Sequence, residues 1–345
     1  MLKTIIDLAQ IPEEELLKLK ICELPLTIEG TWLQECVNYL YEELQAKGIQ
    51  FKPVCYLADE WLAPDGEPVI GIPFFLAHPA LIKLEKKTML DVEGGTKQWC
   101  MKLLRHEAGH AINYAYKLHR RKKWHQIFGL FTKEYNDTYK YRPYSRNFVR
   151  HLEDYYAQYH PDEDFAETFA VWLTSDSDWA LRYKGWKALK KLKYVEVLMS
   201  EIKDAQPKIK QGRKYWQASR LKTSLSNYYK KKRHFYAEDF PDFHDVNLRR
   251  IFTEKAEDVK SPALAYELIK KFRRYIIISV YTWTGEKKYL IDDLLQTLIT
   301  RCKELKLVFA DPEAVAVLRI STYVATLIMN YMYTGRLRGK NGKKT

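Results

Sequence analysis

Residues 103–116 read LLRHEAGHAINYAY, and the two histidines there restrict the fold more than any other feature of the chain. In an α-helix, positions i and i+4 lie one turn apart on the same face. His106 and His110 can then aim both imidazoles at one ion, and neutral imidazole nitrogens suit Zn²⁺ at ~2.0–2.1 Å. Glu107 is turned about 100° from His106, which places it beside such an ion rather than on it. From there its carboxylate can accept a proton from water, which is the logic of an H-E-x-x-H helix. A fold using the motif must bring a third protein ligand to this helix and leave one position open.

The surroundings agree with a helix. The stretch DVEGGT breaks the chain, Thr96 is placed to cap, and the helix is expected from about Lys97 to about Leu118, where HRRKK supplies cations suited to a helix C-terminus. A second helix is expected over HPDEDFAETFAVWLT (160–174), with proline and acids in its first turn. It offers Glu163, Asp164 and Glu167 as ligands. Glu163 and Glu167 share one face, and Phe165, Phe169 and Trp172 lie on the side that packs. Carboxylates at i, i+4 only repel one another unless a cation and its partners join them.

LLRHEAGHAINYAY followed by YAQYHPDEDFAETFAVWL resembles the bacterial zinc-binding metallopeptidases, gluzincin-like proteins with an HExxH helix and a downstream E-x-F-A-E-x-F helix. The pattern is also that of the anthrax lethal factor protease domain and the Pro-Pro endopeptidases. The resemblance covers roughly residues 50–200. It implies Zn²⁺ held by His106, His110 and Glu163, with Glu107 as general base in peptide-bond hydrolysis. It implies that Glu167 accepts a hydrogen bond from a ligand histidine. A tyrosine seven residues before the ligand glutamate falls on Tyr156, whose hydroxyl would donate to the oxyanion; Tyr155 adjoins it. The substrate of such enzymes pairs with an edge strand, for which IGIPFFL is the candidate. Family members often carry an N-terminal cysteine zinc ribbon, which this chain lacks.

The expected fold class is α+β: a small mixed sheet with the HExxH helix in a gluzincin-like core, then a mostly α-helical basic C-terminal region. FKPVCYLADEW and VIGIPFFLAHP are extended stretches separated by the turn APDGEP. WKALKKLKYVEVLMSEIK closes the first part as a helix. The division expected is 1–50 as a helical and strand segment, 51–204 as the metallopeptidase-like domain, and 205–345 as the C-terminal region. Charge supports a separate last part: residues 205–345 hold 29 Lys+Arg against 14 Asp+Glu, whereas 1–204 hold 28 against 30.

Within 205–233, ten cations stand without an acid, interleaved with Tyr215, Trp216, Tyr228 and Tyr229. Cations bind phosphates and aromatics stack on bases, so nucleic acid is a candidate partner beside a protein or peptide substrate, with Lys230, Lys231, Lys232 and Arg233 as its site. The competing reading is a linker or docking segment. Ile291, Leu294, Leu295, Leu298 and Ile299 recur at helical spacing. AVAVLRISTYVATLIMNYMY (314–333) is interrupted by Arg319 and Asn330, so a buried helix is expected there and no membrane partner. The five scattered cysteines include no CxxC pair, and the N-terminus is not a secretory signal, which together point to the cytoplasm. Outside the motif, seven histidines show no ligand spacing among themselves; His160 stands at a helix entrance. Arg105 reads as a solvated helix residue. Beyond the peptidase, the alternatives are a nucleic-acid-associated protein with a protease-like metal domain and a catalytically silent metal- or peptide-binding module.

Overall fold

The structure, a computed structural model of the 345-residue chain, describes residues 7–135, 142, 144–152, 155–175, 177–233, 244–253 and 263–334. His234 lies outside them. The fold is α+β and mostly helical. Contacts divide the chain into two units, Met1–Lys87 with Val92–Tyr228, and Thr88–Asp91 with Tyr229–Thr345. The division therefore falls at Tyr228/Tyr229 rather than after residue 204.

Hydrogen bonding explains why 205–228 stays with the first unit. The N–H groups of Lys208 and Ile209 donate to the Ala115 carbonyl at 2.8 and 3.0 Å. Gln217 bridges Ala58, and Ser224 bridges Lys20. The Tyr228 hydroxyl donates to the Asp59 carbonyl at 3.0 Å, and its ring stands edge-on to Phe74. This segment docks. Tyr228 and Tyr229 are buried, so neither is a platform on which a base can stack.

The sheet of the first unit is small. Strand β1 (Val54–Ala58) pairs in parallel with β2 (Val69–Pro73), Val54 opposite Val69 and Ala58 opposite Pro73. Every residue of β2 is buried, and its short apolar run fits that position. The strand expected as IGIPFFL stops at Pro73, which has no N–H to continue a ladder, and Phe74–Ala77 turn into a 3-10 helix. Across the turn, Leu62 folds back on the other side of β2. The Gly71 N–H donates to the Leu62 carbonyl at 2.8 Å, and the Leu62 N–H returns a bond at 3.3 Å. At Gly71, then, the edge proposed for a substrate chain is already taken. A side chain on Gly71 would meet Leu62 and Ala58, so glycine allows this close layering.

Four helices build the first unit's core around the motif. Trp32–Ala46 packs on Lys97–Tyr116, which packs in turn on Pro161–Leu173, and Ala188–Ile202 covers the far side of the last. Arg105 is not solvated: its guanidinium grips the buried Glu43 carboxylate with two bonds, at 2.8 and 2.9 Å.

In the second unit, Ala265–Thr284, Lys288–Glu304 and Glu313–Thr334 pack together. Ile291, Leu294, Leu295, Leu298 and Ile299 are all buried in that core, as their spacing predicts. Glu313–Thr334 differs from the expectation of a buried helix. It buries one stripe, Ala316, Ile320, Val324, Leu327 and Ile328, while Leu318 is 67% exposed. Among the described residues it is the one helix long and apolar enough to cross a membrane by length and composition. Lys230, Lys231, Lys232 and Arg233 form the last turn of Leu225–Arg233. Arg233 is engaged within its unit, donating to the Thr88 carbonyl at 3.1 Å and pairing with Asp293.

Candidate metal centre

The motif helix runs Lys97–Tyr116. The Thr96 hydroxyl accepts from the Trp99 N–H at 3.2 Å, the N-cap expected from sequence. Lys117 ends the helix in the left-handed region. From Cys100 to Tyr116 almost every side chain is buried, including His106, Glu107 and His110. The acidic helix, Pro161–Leu173, is capped by His160, whose Nδ1 accepts the Asp162 N–H at 3.1 Å. Its Nε2 then donates to the Lys133 carbonyl at 2.7 Å. His160 is a structural cap and stands apart from the histidine cluster. All thirteen residues of this helix are buried, and a helix with acids in it is buried whole only where those acids are matched.

Gly109 makes the meeting of these helices close. A Cβ there would lie 2.8 Å from Ala166 Cα, in the backbone of the acidic helix. The approach brings His106, His110 and Glu163 together. His106 Nε2 lies 3.1 Å from Glu163 Oε2, His110 Nε2 lies 3.3 Å from the same oxygen, and the two Nε2 atoms are 3.2 Å apart. Bonds of ~2.0–2.1 Å meeting near a tetrahedral angle separate ligand atoms by about 3.3 Å. The three donor atoms therefore have the spacing of one face of a tetrahedral site.

The opposite nitrogens explain why this face points inward. His106 Nδ1 lies 2.9 Å from Glu167 Oε1, and His110 Nδ1 lies 2.8 Å from Asp162 Oδ2. Each Nδ1 carries its proton toward a carboxylate, so in the neutral ring each Nε2 presents a lone pair to the other and to Glu163. Three acceptors so placed need a cation or protons between them. Glu167 is held in turn by the Leu152 N–H at 3.0 Å. Asp162 accepts from Asn113 Nδ2 at 2.7 Å and from the Tyr114 hydroxyl at 2.5 Å.

Electrostatics reflects the same demand. Burial works against a charged His106, yet hydrogen bonds to Glu163 and Glu167 outweigh it and push the imidazole up to about 10. His110 is raised well above its ordinary value against the same burial, by the Asp162 and Glu163 carboxylates. Glu163, Asp162 and Glu167 move down, because the imidazoles overcome the cost of burying their charge. Glu107 moves the other way: burial raises it, and the two imidazoles only partly offset this. Among the described residues no donor bonds its carboxylate. A carboxyl group whose pKa is raised by burial takes up a proton more readily than an exposed one.

Of the residues singled out in the sequence, the structure brings His106, His110 and Glu163 to one point, Glu167 behind His106, and Glu107 beside them. The Tyr156 ring stands edge-on to the His106 ring with centroids 5.7 Å apart, whereas the Tyr155 ring lies under the Arg150 guanidinium. Tyr156 is thus the tyrosine of the pair that adjoins the cluster. Asp164 is no ligand; it pairs with Lys191 at 2.5 Å, and burial lifts its carboxyl to about 7. Sequence reasoning missed Asp162, Asn113, Tyr114 and Tyr135. Tyr114 lies four residues after His110 and shares its face, a signal that was available.

No protein-family model matches the chain, and no curated protein or solved structure matches it. The site therefore stands on its own geometry: a buried His/His/Glu group, with both histidines oriented from behind, that can hold a metal ion.

Proposed function

We propose that the protein is a zinc-dependent endopeptidase acting on protein or peptide substrates. The observation that carries this is the triangle of His106 Nε2, His110 Nε2 and Glu163 Oε2 at 3.1–3.3 Å with buried Glu107 beside it. A His₂Glu set of three protein donors, which leaves a fourth position for water, suits catalytic Zn²⁺ better than a closed four-ligand structural site. The likeness of both helices to the zinc metallopeptidase pattern supports the same reading.

A divalent ion so held supplies an acidified water and a Lewis acid for the scissile carbonyl. Glu107 accepts the proton of the attacking water and passes it to the leaving amine. Burial raises its pKa above the ordinary carboxylate value, which favours its taking up a proton. Glu167 and Asp162 hold the imidazoles in the tautomer that leaves Nε2 unprotonated. The Tyr156 hydroxyl donates to the carbonyl oxygen as negative charge develops there. A pure binding module has no use for a buried base beside the ligands.

The test compares zinc content and hydrolysis of an unstructured polypeptide for wild type, Glu107→Gln and Glu163→Ala. Glu107→Gln should keep its zinc and lose hydrolysis by about 10²–10⁴-fold; Glu163→Ala should lose zinc. Wild type that binds zinc but cleaves nothing would leave the silent metal-binding module as the reading.

A further inference from the structure

Tyr135 makes a contact that the hydrolytic reading does not use. Its hydroxyl donates to Glu163 Oε1 at 3.1 Å, the oxygen on the far side of the carboxylate from the two histidines. The phenol is not there by loose packing alone. Its ring stacks on His160 with centroids 3.9 Å apart and planes 17° from parallel. His160 is itself fixed at both nitrogens, by the Asp162 N–H and by the carbonyl of Lys133, two residues before Tyr135. The loop before Tyr135 is seated too, since Gly129 at φ +113° packs against Pro161, the first residue of the acidic helix. One frame therefore sets the position of Tyr135 and of Glu163 together. Tyr135 is nonetheless 50% exposed, so the ring contributes less to the core than to this one bond.

The two oxygens of Glu163 thus have separate partners: Oε2 faces both Nε2 atoms, and Oε1 takes the phenol. A carboxylate can bind an ion through one oxygen or both, and binding through both would crowd the water position and give the ion five ligand atoms instead of four. A hydrogen bond to the second oxygen draws it away from the ion and favours binding through one. A second phenol is close by: Tyr159 stands between the rings of Tyr135 and Tyr156, at 5.4 and 6.0 Å.

Resting on the metal-hydrolase reading, we propose that Tyr135 is a positioning residue that holds Glu163 monodentate and so keeps the fourth coordination position open. The two phenols then divide their work. Tyr135 acts on the ligand, and Tyr156, edge-on to His106, acts on the substrate.

The full-length chain loaded with Co²⁺ tests this, because visible absorption of cobalt is strong with four ligands and severalfold weaker with five or six. Wild type and Tyr156→Phe should give the strong four-coordinate spectrum, and Tyr135→Phe a severalfold weaker one while still binding one ion. An unchanged spectrum in Tyr135→Phe would overturn the proposal, as would a weak spectrum in wild type. Should the phenylalanine variant not fold, zinc-edge X-ray absorption of wild type decides: one carboxylate oxygen in the first shell supports the proposal, and two overturn it. Wild type that takes up no cobalt or zinc removes the metal reading and this one together. Four-coordinate wild type that cleaves no peptide removes only the hydrolase, and the variant's spectrum still decides the role of Tyr135.

Discussion

Gly109 and Ala166 touch across the two site helices so closely that a Cβ on the glycine would sit 2.8 Å from Ala166 Cα and 3.1 Å from its carbonyl oxygen. Both obstacles are backbone, which cannot swing aside as a side-chain tip can. Alanine improves helix propensity by at most ~1 kcal/mol, and overpacking costs about 1–3 kcal/mol. Gly109→Ala is therefore expected to destabilise the protein and to push Glu163 away from the histidines. Denaturant unfolding and zinc titration of the same variant check it. A variant as stable as wild type with unchanged zinc affinity would mean that the helices need not approach this far.

Asp162 and Glu167 each accept a hydrogen bond from an imidazole of the candidate site, at the nitrogen turned away from Glu163. Removing such a partner typically lowers metal affinity 10–100-fold. Asp162→Ala and Glu167→Ala should each show a loss of about that size in competition with a chromogenic chelator. Asp162→Ala should be the more destabilising, because it also strips Asn113 and Tyr114 of a buried acceptor.

The histidines predict a pH signature. Folding raises His106 from 6.5 to about 10 and raises His110 as well, through bonds to carboxylates that outweigh burial. In the metal-free protein this contributes stability that is full below pH 6.5 and lost as pH climbs through the folded value. An ion must displace those protons. Calorimetric zinc titrations at pH 7, in buffers of different ionisation enthalpy, should show net release of protons on binding. The stabilisation by zinc should grow as pH rises across the same window. Binding without proton release would mean that the imidazoles are neutral before the ion arrives.

Arg105 and Glu43 offer a test far from the chemistry. Both side chains are largely buried and the pair is two-bonded. Arg105→Ala leaves a buried carboxylate without its cation, which costs about 3–5 kcal/mol. Thermal unfolding should show that loss, and the double variant Arg105→Ala with Glu43→Gln should recover much of it.

What the sequence made legible followed from local periodicity. The i, i+4 spacing put His106 and His110 on one face, the Thr96 cap fixed where their helix begins, and Ile291 to Ile299 spelled a buried stripe. What it hid depended on partners distant along the chain. Arg105 looked solvated because Glu43 lies 62 residues away. Asp162 gave no sign of its role, since only the crossing at Gly109 aims it at His110. The turn APDGEP was correctly placed, but the piece that pairs antiparallel across it is Leu62, while the ladder runs parallel from β1. Tyr228 and Tyr229 looked like stacking platforms because their burial comes from contacts that composition does not display.

The return of residues 205–228 onto the first unit bears on how the site can be isolated. A fragment cut after 204 keeps every proposed ligand yet loses the cover over Phe74, the Gln217 bridge to β1 and two donors to the Ala115 carbonyl at the end of the motif helix. Fragments meant to carry the histidine cluster alone therefore need to extend at least to Tyr228, and shorter ones should be prone to aggregate through the apolar surface they uncover.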